Sequence, residues 1–414
     1  MIKIPRGKIY FPPGLIGKTF TSIFSASMLE GEKIDIFERR FADYIGVRHA
    51  IAVSSGKIAL YLCLKALGAK EDDGIILPSY TVPEVVIMVL YTGTRPTFID
   101  IHPETYNMNA GLIEKRITEK TRFILLTHIY GQPCDIDPIL DIAKRYNLKV
   151  IEDCAQACGA EYKGRKVGSF GDLSYFSFAL MKNLNTLGGS MITTDDAFLA
   201  AQIREEIKNF DYPKRTSLMR RLFLALALSL FTHPIIFSLF VYPFIYLLSL
   251  IENRILYNLL RNRKPIDLMR ITSLEKHKLK FTNLQALIGL EQLESIDNNN
   301  DWRINNANIL STLLKETNMK IPQTLPYVKN IYLNYVIRVK DRESVIKKLL
   351  RRGIDVTAGY IESCSSLKEF REFKASSPES DTLSQDNLYL PIQPPLNRKH
   401  MHYIYRSLKE IYLD

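Results

Sequence analysis

Residues 123–155, FILLTHIYGQPCDIDPILDIAKRYNLKVIEDCA, contain two short apolar runs separated by a helical pattern. The runs Phe123–Ile129 and Lys149–Ala155 have the length and composition of buried strands, whereas residues 135–146 repeat their apolar positions at helical spacing. A strand, a helix and a second strand in this order are typical of a parallel sheet covered by helices. This stretch therefore predicts an α/β fold.

The alternation of strand and helix patterns continues on both sides of residues 123–155. Further strands are predicted at His49–Ser54, Ile75–Leu77 and Pro96–Ile101, with helices near 34–44, 56–67, 82–92 and 109–117. Downstream, the apolar runs Leu173–Phe178 and Ser190–Thr194 follow each other without a helix between them. We therefore expect a mostly parallel sheet covered on both faces, with a departure from simple strand–helix winding at the last two strands.

Length and composition predict two globular domains. With 414 residues, 46% hydrophobic and 24% charged, the chain can build a core in each. We assign residues 1–212 to a large domain, 213–265 to an apolar helical insert, 266–300 to a return to the large domain with a linking helix, and 301–414 to a smaller α+β domain. The last assignment rests on strands such as Tyr332–Val339 beside the amphipathic helix 341–352.

Cysteine usage and the N-terminus predict a cytosolic setting. The five cysteines are odd in number and form no CxxC pair, so we interpret them as reduced thiols. Residues 1–14, MIKIPRGKIYFPPG, lack the apolar run of a signal peptide, which argues against secretion. The net charge of +11 calls for an anionic partner, and nucleic acid, an anionic substrate and a membrane surface are all possible.

Three chemical features fall at the carboxyl ends of predicted strands, where open parallel sheets bind ligands. The first is Ser54-Ser55-Gly56, which ends one strand and opens a helix. Backbone N–H groups at a helix N-terminus, together with a Ser hydroxyl, form a phosphate site. The alternative is a strand-to-helix turn without a ligand, because such turns are common.

The second feature is the acidic pair Glu152-Asp153 at the end of an apolar strand. A buried carboxylate is costly unless a cation meets it, and a protonated pyridine nitrogen is such a cation. The alternative is an Asp that caps a helix or pairs with a basic side chain.

The third feature is Lys182, which stands between an apolar run and the glycine pair Gly188-Gly189. Burial lowers the pKa of a lysine and frees its amine to attack a carbonyl. An isolated lysine in such a place is more often an ordinary loop residue, so this feature depends on its context.

Together these features resemble the DegT/DnrJ/EryC1/StrS family of sugar aminotransferases, which have the aspartate aminotransferase (type I) fold. Ordered matches extend over most of residues 30–210 and 275–414. The matching segments are 53–56 (VSSG), 77–81 (LPSYT), 96–101 (PTFIDI), 128–133 (HIYGQP), 151–156 (IEDCAQ), 164–172 (GRKVGSFGD), 176–178 (FSF), 282–286 (TNLQA) and 388–391 (LYLP). The resemblance implies a pyridoxal phosphate-dependent transferase with a large mixed-sheet domain and a smaller C-terminal α+β domain.

The resemblance also implies a role for each matching residue. Lys182 matches the lysine that carries pyridoxal 5'-phosphate as a Schiff base and moves a proton between substrate and cofactor. Asp153 matches the partner of the pyridine nitrogen, and Gln156 the residue near the phenolic oxygen. The phosphate contacts are matched by Ser55, Gly56 and Ser177.

The implied reaction is a two-step exchange. Glutamate or glutamine leaves its nitrogen on the cofactor, and a keto sugar linked to a nucleotide or a lipid carrier collects it. A homodimer is expected, because this family builds its site across two subunits. Two alternatives stay open: a dehydration or epimerisation of the sugar with the same cofactor, and a non-catalytic membrane scaffold of the same fold. The dehydratase branch of the family has a histidine where this chain has Lys182, which argues against the first.

Three cofactor positions differ from the family pattern. Lys57 stands where Thr is usual, so its charge either binds the phosphate or points to solvent. Val82 replaces an aromatic residue that commonly stacks on the cofactor ring. Residues 276–278, Lys-His-Lys, replace Gly-Tyr-Asn, whose Asn reaches the phosphate of the neighbouring subunit, and Lys278 could serve there as a cation.

An apolar run at residues 222–251 carries no charge apart from a possible one on His233. About thirty helical residues reach roughly 45 Å, but both ends of the run belong to one catalytic fold, and two crossings need about forty residues. Pro234 and Pro243 can break the run into short helices. We therefore expect an apolar hairpin that lies in the membrane plane or re-enters it, in contact through residues 216–262.

The charges beside this run fit a membrane surface. Before it stand Lys208, Lys214, Arg215, Arg220 and Arg221, and after it Arg254, Arg261, Arg263 and Lys264. Such clusters suit anionic lipid and predict the cytoplasmic, inner face of the cell membrane. The alternative is an apolar oligomer interface or a hairpin that covers the core. No nucleic-acid recognition motif accompanies the charge, and His400 and His402 lie in a helical pattern, so neither a nucleic-acid partner nor a metal site is predicted.

Overall fold

A central seven-stranded sheet organises the chain. A computed structural model describes residues 3–12, 14–23, 25–250, 277–317 and 319–413. The strands are β1 (His49–Val53), β2 (Gly74–Pro78), β3 (Tyr80–Thr81), β4 (Arg95–Ile99), β5 (Thr121–Thr127), β6 (Lys149–Asp153), β7 (Glu161–Tyr162), β8 (Arg165–Lys166), β9 (Leu173–Ser177), β10 (Ser190–Thr194), β11 (Val328–Lys329), β12 (Tyr335–Arg338), β13 (Glu362–Ser363) and β14 (Asn387–Leu390).

The α-helices of the described chain cover this sheet and a smaller C-terminal part. They are α1 (Leu15–Ile23), α2 (Lys33–Ile45), α3 (Gly56–Ala66), α4 (Pro83–Tyr91), α5 (Ile136–Arg145), α6 (Ala197–Lys208), α7 (Arg215–Phe231), α8 (Pro234–Ile236), α9 (Tyr242–Leu250), α10 (Asn283–Leu293), α11 (Ile296–Leu314), α12 (Arg342–Arg351), α13 (Pro378–Asp386) and α14 (Arg398–Leu413).

The central sheet has the strand order β1-β10-β9-β6-β5-β2-β4. Strands β4, β2, β5, β6 and β9 are parallel, whereas β10 is antiparallel to both of its neighbours. Residues 178–189, here called the lysine loop, join β9 to β10 without a helix, so the chain reverses direction instead of crossing over the sheet. The predicted mostly parallel sheet and its departure from simple winding are both confirmed.

Helices bury both faces of the sheet. On one face, Phe37 and Phe41 of α2 pack on Phe176 and Phe178 with ring centroids 5.0–5.7 Å apart. On the other face, α3, α4 and α6 bury their apolar sides. Burial on both faces explains why the parallel strands read as continuous apolar runs. Since Phe178 opens the lysine loop, this aromatic packing fixes where the loop leaves the sheet.

One predicted helix is absent. Instead of a helix at 109–117, the chain forms two short 3₁₀ turns, Ala110–Leu112 and Glu114–Arg116. The side chain of Asn109 accepts the N–H of Gly111 at 3.1 Å. This local hydrogen bond offers the backbone an alternative to the first turn of an α-helix.

Residues 283–317 have a long helical sequence pattern, which predicts one continuous helix. The chain forms two helices there, because the backbone of Ser295 is not helical between α10 and α11. The second helix, α11, leads from the central sheet to the smaller part. There β12 and β14 form an antiparallel pair, and α11, α12 and α14 supply apolar side chains to one core. The boundaries at residues 212, 265 and 300 stay predictions.

The apolar region after α6 is helical and bent. Helix α7 buries Leu218, Leu222 and Ala225 against α1 and α10, while Tyr242 at the start of α9 donates a hydrogen bond to the carbonyl of Leu350 in α12 at 2.9 Å. The region therefore contacts both the helices α1 and α10 beside the central sheet and the smaller C-terminal part. Among the described residues, no single helix has the length and apolar composition to span a bilayer; α7 and residues 234–250 meet that test jointly, across a bend of 69°.

Several predictions fall on residues 251–276, which lie outside the described residues. They concern the end of the 216–262 contact region and the cations Arg254, Arg261, Arg263, Lys264 and Lys276.

Candidate active site

Three predicted site segments meet at one edge of the sheet. Asp153 is the last residue of β6 and Ser177 the last of β9, while Ser55 and Gly56 follow β1. Because β1, β6 and β9 run in the same direction, their carboxyl ends lie at the same edge. Lys182 follows β9 by five residues, so the lysine loop brings the candidate amine to this edge as well.

The N-terminus of α3 forms a cradle for an anion. Ser55 caps the helix, and its hydroxyl accepts the N–H of Ile58 at 3.4 Å. The first N–H groups of a helix have no acceptor within it, so those of Gly56 and Lys57 can bind a ligand. Ser177 faces the same turn, since a Cβ built on Gly56 would lie 3.7 Å from the Ser177 Cβ. The cradle therefore combines backbone donors with two hydroxyl groups.

Asp153 lies in an apolar setting in which the negative charge of its carboxylate is only partly compensated. Its carboxylate is buried and accepts the N–H of Ala155 at 3.0 Å. Burial raises the pKa of Asp153, and the charge on Lys182 acts in the opposite direction. Tyr175, its neighbour on β9, has a buried hydroxyl next to this carboxylate, and its hydrogen bond to Asp153 also lowers the pKa of Asp153. A cationic ring placed beside Asp153 would stabilise the carboxylate.

Lys182 is half-buried beside an aromatic residue of the smaller part. Its backbone N–H donates to the carbonyl of Ala179 at 2.9 Å, and its Nζ lies 5.9 Å from the centre of the Tyr360 ring. That ring packs edge-on against Tyr389, with centroids 6.2 Å apart. The smaller part therefore contributes a wall to the site.

Amide side chains of α10 and α11 hold the lysine loop in place. Asn300 accepts a hydrogen bond from the Asn183 side chain at 2.9 Å. Gln292 accepts the N–H of Asn185 at 3.0 Å and donates to its carbonyl at 2.7 Å. Gln285 donates to a carbonyl near the end of the loop at 2.7 Å. These buried contacts fix the backbone on the C-terminal side of Lys182.

Gln156 is oriented by a group of buried tyrosines. Its Oε1 accepts the backbone N–H of Tyr130 at 3.2 Å. The Tyr130 hydroxyl lies 2.5 Å from that of Tyr80 and 3.0 Å from that of Tyr389. Val82 packs against the same group and is half-buried. Val82, at the position where the family commonly has an aromatic residue, thus borders tyrosine rings.

Lys278, from a distant segment of the chain, lies against the side of α3 that carries Lys57 and Tyr61. Lys57 is exposed, and Tyr61 follows it by one turn. The Nζ of Lys278 is 5.0 Å from the centre of the Tyr61 ring. The segment of Lys278 is fixed there because the Ser54 hydroxyl donates to the carbonyl of His277 at 2.9 Å. Within one chain, both cations therefore lie near the anion cradle.

Glu152 is separate from the site. Its oxygens accept hydrogen bonds from the N–H groups of Gly168, Phe170 and Gly171, the hydroxyl of Ser174 and the ring of His128. The N–H of Cys134 donates to Nδ1 of His128 at 3.0 Å, so the proton directed at Glu152 is on Nε2. Burial opposes ionisation, but the hydrogen bonds from His128 and the backbone are stronger and lower the pKa of Glu152.

His128, Glu152 and Cys154 are close enough to suggest a metal centre. The ring nitrogens of His128 and both oxygens of Glu152 are already hydrogen-bonded, and burial raises the pKa of the Cys154 thiol well above its ordinary value. A thiol must lose its proton to bind a metal well. The arrangement is therefore a structural network. At the C-terminus, His400 is similarly engaged, with its Nδ1 2.8 Å from the Asn397 Oδ1.

The site residues fit pyridoxal phosphate. The cradle suits a phosphate, the buried carboxylate of Asp153 suits a protonated pyridine nitrogen, and the amine of Lys182 suits an aldehyde. Burial raises the pKa of Asp153 despite its hydrogen bonds and the charge on Lys182, so its carboxylate still lacks full compensation, which a cationic ring would supply. This combination on this sheet defines a type I pyridoxal phosphate-dependent transferase.

Comparison with known proteins narrows this class. The DegT/DnrJ/EryC1/StrS aminotransferase family matches residues 18–220 and 269–409. The GDP-perosamine synthase of Escherichia coli O157:H7 is 30% identical over 390 residues, which are 93% of this chain and 92% of that protein. The crystal structure of Streptomyces venezuelae DesV in complex with a ketimine intermediate has a TM-score of 0.76 at 25% identity, and the match covers 99% of both chains. This chain belongs to the DegT/DnrJ/EryC1/StrS family and is a pyridoxal phosphate-dependent sugar aminotransferase.

The predicted family, type I fold and cofactor are thereby confirmed. A shorter match, to the GDP-perosamine synthase of Caulobacter vibrioides, is 48% identical over 174 residues, which are 42% of this chain and 47% of that protein. The family match omits residues 221–268, which include the whole apolar run at 222–251.

Sequence reasoning missed four residues of the site. Tyr175 and Tyr360 border Asp153 and Lys182, while Gln292 and Asn300 hold the lysine loop. The only available signal was strand periodicity, which places Tyr175 on the same face of β9 as Ser177. The other three come from distant segments, and nothing in their local sequence distinguishes them from ordinary polar residues.

Proposed function

We propose that the protein transfers an amino group from glutamate or glutamine to a keto sugar carried on a nucleotide or a lipid, for the synthesis of a surface polysaccharide or glycoconjugate. The observation that carries this proposal is the meeting of Lys182, Asp153 and the α3 cradle at one edge of the sheet. The named relative that makes GDP-perosamine supports the sugar class and the biosynthetic setting.

The geometry supports a role for each predicted residue. Ser55, Gly56 and Ser177 would bind the cofactor phosphate at the helix N-terminus, and Lys57 would add charge nearby. Asp153 would pair with the ring nitrogen and keep it protonated, so that the bound cofactor could withdraw electrons from the carbon that carries nitrogen. Gln156 would contact the ring oxygen. Val82 would offer the ring an aliphatic side chain in place of an aromatic one.

Lys182 acts as the proton carrier. Its amine would hold the aldehyde of the cofactor and, when not engaged with it, would take a proton from the carbon of the amino donor. In the second half of the reaction the same amine returns a proton to the sugar carbon that receives the nitrogen. Tyr360 limits the positions of the Lys182 side chain and shields it from water on one side.

The substitution Lys182→Ala tests this role. We expect it to abolish the visible absorbance band of the bound cofactor and to lower amino transfer by at least roughly 10²–10⁴-fold, the usual contribution of a positioned proton carrier. Lys120→Ala, which removes an exposed lysine, is the control. A band that survives Lys182→Ala would contradict the assignment. Transfer of labelled nitrogen from glutamate to a keto sugar separates aminotransfer from dehydration or epimerisation.

We also propose a homodimer in which Lys278 of one subunit supports the phosphate cradle of the other. The support for the homodimer is the family relationship, whereas within one chain Lys278 lies beside Tyr61 of that chain's own α3. We expect sedimentation to give twice the mass of the chain and Lys278→Ala to weaken cofactor retention. A monomer with full activity would contradict this proposal.

We propose further that the α7–α9 region lies on anionic lipid at the cytoplasmic face of the cell membrane. Large apolar side chains there are exposed, with Phe223 at 74%, Phe240 at 69% and Phe244 at 64%. Exposed Lys214 and Arg220 stand at the start of this surface and complement anionic headgroups. An apolar surface of this kind beside cations fits in-plane contact with a bilayer.

Flotation with lipid vesicles tests the membrane contact. We expect the protein to float with vesicles that contain phosphatidylglycerol, and the double variant Phe240→Ser/Phe244→Ser to bind at least about tenfold more weakly, since each buried Phe contributes roughly 1.5–3 kcal/mol. Phe198→Ser is the matched control, because Phe198 is 69% exposed on α6. Equal binding of all three proteins, or an altered oligomeric state in the double variant, would instead indicate an interface between subunits.

A further inference from the structure

Two half-buried cations stand on either side of the lysine loop without a carboxylate partner among the described residues. They are Lys8 of the N-terminal segment and Arg221 of α7. By contrast, Arg6, which is also half-buried, is paired with Asp355 at 2.6 Å. A half-buried cation without a counter-charge is costly unless an anion joins it.

Arg221 contacts the C-terminal end of the lysine loop. Its Nη1 lies 3.0 Å from the position that a Cβ would occupy on Gly188, and this glycine has a φ of +106°. The close approach therefore depends on the absence of a side chain at Gly188. Arg220, the preceding residue, is exposed, so the two adjacent arginines have different environments. Arg221 faces the protein, and Arg220 faces solvent.

Lys8 belongs to an N-terminal segment that crosses the other end of the loop. A Cβ on Gly7 would lie 2.7 Å from the Met181 Cε, so this segment packs on the side chain of the residue that precedes Lys182. The carbonyl of Ile9 accepts a hydrogen bond from Ser229 of α7 at 3.2 Å. The backbone of Lys8 is therefore fixed between the lysine loop and the same helix that carries Arg221.

The contacts on α7 give the separation along this helix of the two backbone segments that carry Lys8 and Arg221. Ser229 and Arg221 are eight residues apart, which corresponds to about 12 Å along a helix. Two long cationic side chains at this separation can converge on one anion that has charges on two adjacent groups. Burial lowers the pKa of both Lys8 and Arg221, which agrees with an incompletely compensated environment.

We propose that Lys8 and Arg221 bind the diphosphate that links the substrate sugar to its carrier. This inference rests on the proposed function, and it assigns the anionic part of the substrate to the α7 side of the lysine loop. Diphosphate is the chemistry shared by a sugar nucleotide and a lipid-linked sugar, so the geometry applies to both carriers. Because α7 is also the start of the exposed apolar surface, a lipid carrier could lie along this surface while its diphosphate reaches Arg221.

Calorimetric titration of the cofactor-loaded enzyme tests the proposal. The probes are uridine diphosphate, for the nucleotide carrier, and farnesyl diphosphate, for the lipid carrier. We expect Lys8→Ala and Arg221→Ala each to weaken binding of the preferred probe by about tenfold or more, because charge-assisted hydrogen bonds are lost. Arg221→Lys should recover part of the affinity. The control Arg39→Ala removes an exposed arginine on α2 and should leave the affinity unchanged.

The outcomes are distinguishable. An unaltered cofactor absorbance band in each variant shows that the site is folded, and a larger KM with an unchanged kcat shows that the residues bind rather than react. If the wild-type enzyme binds neither probe, or if both variants bind as well as Arg39→Ala, the diphosphate site is wrong. If diphosphate binding depends on Lys8 and Arg221 but labelled nitrogen never reaches a keto sugar, the site stands and the proposed function fails.

Discussion

Glu152 and Asp153 are adjacent in the chain but serve different purposes, because successive residues of a strand point to opposite faces. Glu152 accepts hydrogen bonds from the 168–171 loop and His128, whereas Asp153 faces the cofactor site. The sequence allowed the prediction that an acidic pair ends this strand. It could not show which carboxylate is structural, since the donors to Glu152 come from segments whose positions depend on the folded sheet.

Glu152→Gln tests the structural network. An amide would place N–H groups against donors that now surround a carboxylate, so we expect the free energy of unfolding to fall by about 3 kcal/mol or more. The pKa of Glu152 is depressed below its ordinary value of 4.5, so its stabilising contribution is fully present above that pH and is lost as the pH falls through the depressed pKa. Urea unfolding from pH 7 down to pH 3 should therefore show the difference between the two proteins shrinking only below about pH 4.5. A constant difference over this range would contradict the assignment.

Asp153→Asn tests the cofactor partner. The amide keeps the shape but loses the charge that holds the ring nitrogen protonated, so we expect at least about a tenfold loss of kcat, which corresponds to one pK unit or 1.4 kcal/mol. The fold should persist, because the carboxylate makes few other contacts. Steady-state kinetics together with the cofactor spectrum provide the measurement. Wild-type kcat in this variant would exclude the proposed pairing.

At the level of elements, the lysine loop is positioned by α10 and α11, two helices that come about a hundred residues later in the chain. The glycine pair and the apolar strand before Lys182 predicted a loop at this place, and the structure agrees. The anchors Gln292 and Asn300 were not predictable, because a buried amide on a helix has no local sequence signature. The same limit explains the missed break at Ser295, where helix propensity continues but the path to the smaller part requires a turn.

Gln292→Ala tests the anchoring of the loop. The substitution leaves the buried N–H and C=O of Asn185 without partners, so we expect a loss of about 2–4 kcal/mol in the free energy of unfolding. Amide hydrogen exchange should also become faster in the lysine loop. Gln202→Ala, at an exposed position of α6, should change neither quantity. If both variants behave alike, the loop is held by other contacts.

At the level of the whole molecule, the N-terminal segment and the α7–α9 region connect the central sheet's layers to the smaller part. Ile4 forms backbone hydrogen bonds with Gly353 and Asp355, and Tyr242 reaches Leu350. The predicted sheet and the α+β character of the C-terminal part needed only local patterns. The long-range contacts can be recognised only once the helices are packed together. The sequence therefore indicated an apolar surface without showing where it lies in the molecule.

Arg6→Ala tests the N-terminal connection. Arg6 binds both oxygens of the buried Asp355, and its loss leaves that carboxylate uncompensated. Because Arg6 is partly exposed, we expect a cost of about 2–3 kcal/mol rather than the larger value of a fully buried pair. Urea denaturation should show the decrease, and Arg116→Ala, at an exposed site, serves as the control. An unchanged midpoint would mean that solvent replaces Arg6 at no cost.

The pairing of β1 with β10 determines when a chain under synthesis can complete its central sheet. β1 is the outer strand of the central sheet, and Val53 pairs with Ser190, a residue that is 137 positions later in the chain (190 − 53). At about 5–20 residues per second, roughly 7–30 s pass between the synthesis of these two residues. For that time an apolar strand has no partner in the sheet, and the cradle that follows it cannot face Ser177. A nascent chain therefore becomes able to hold its cofactor only after β10 has been made, which makes the interval before Thr194 the period of greatest exposure to aggregation.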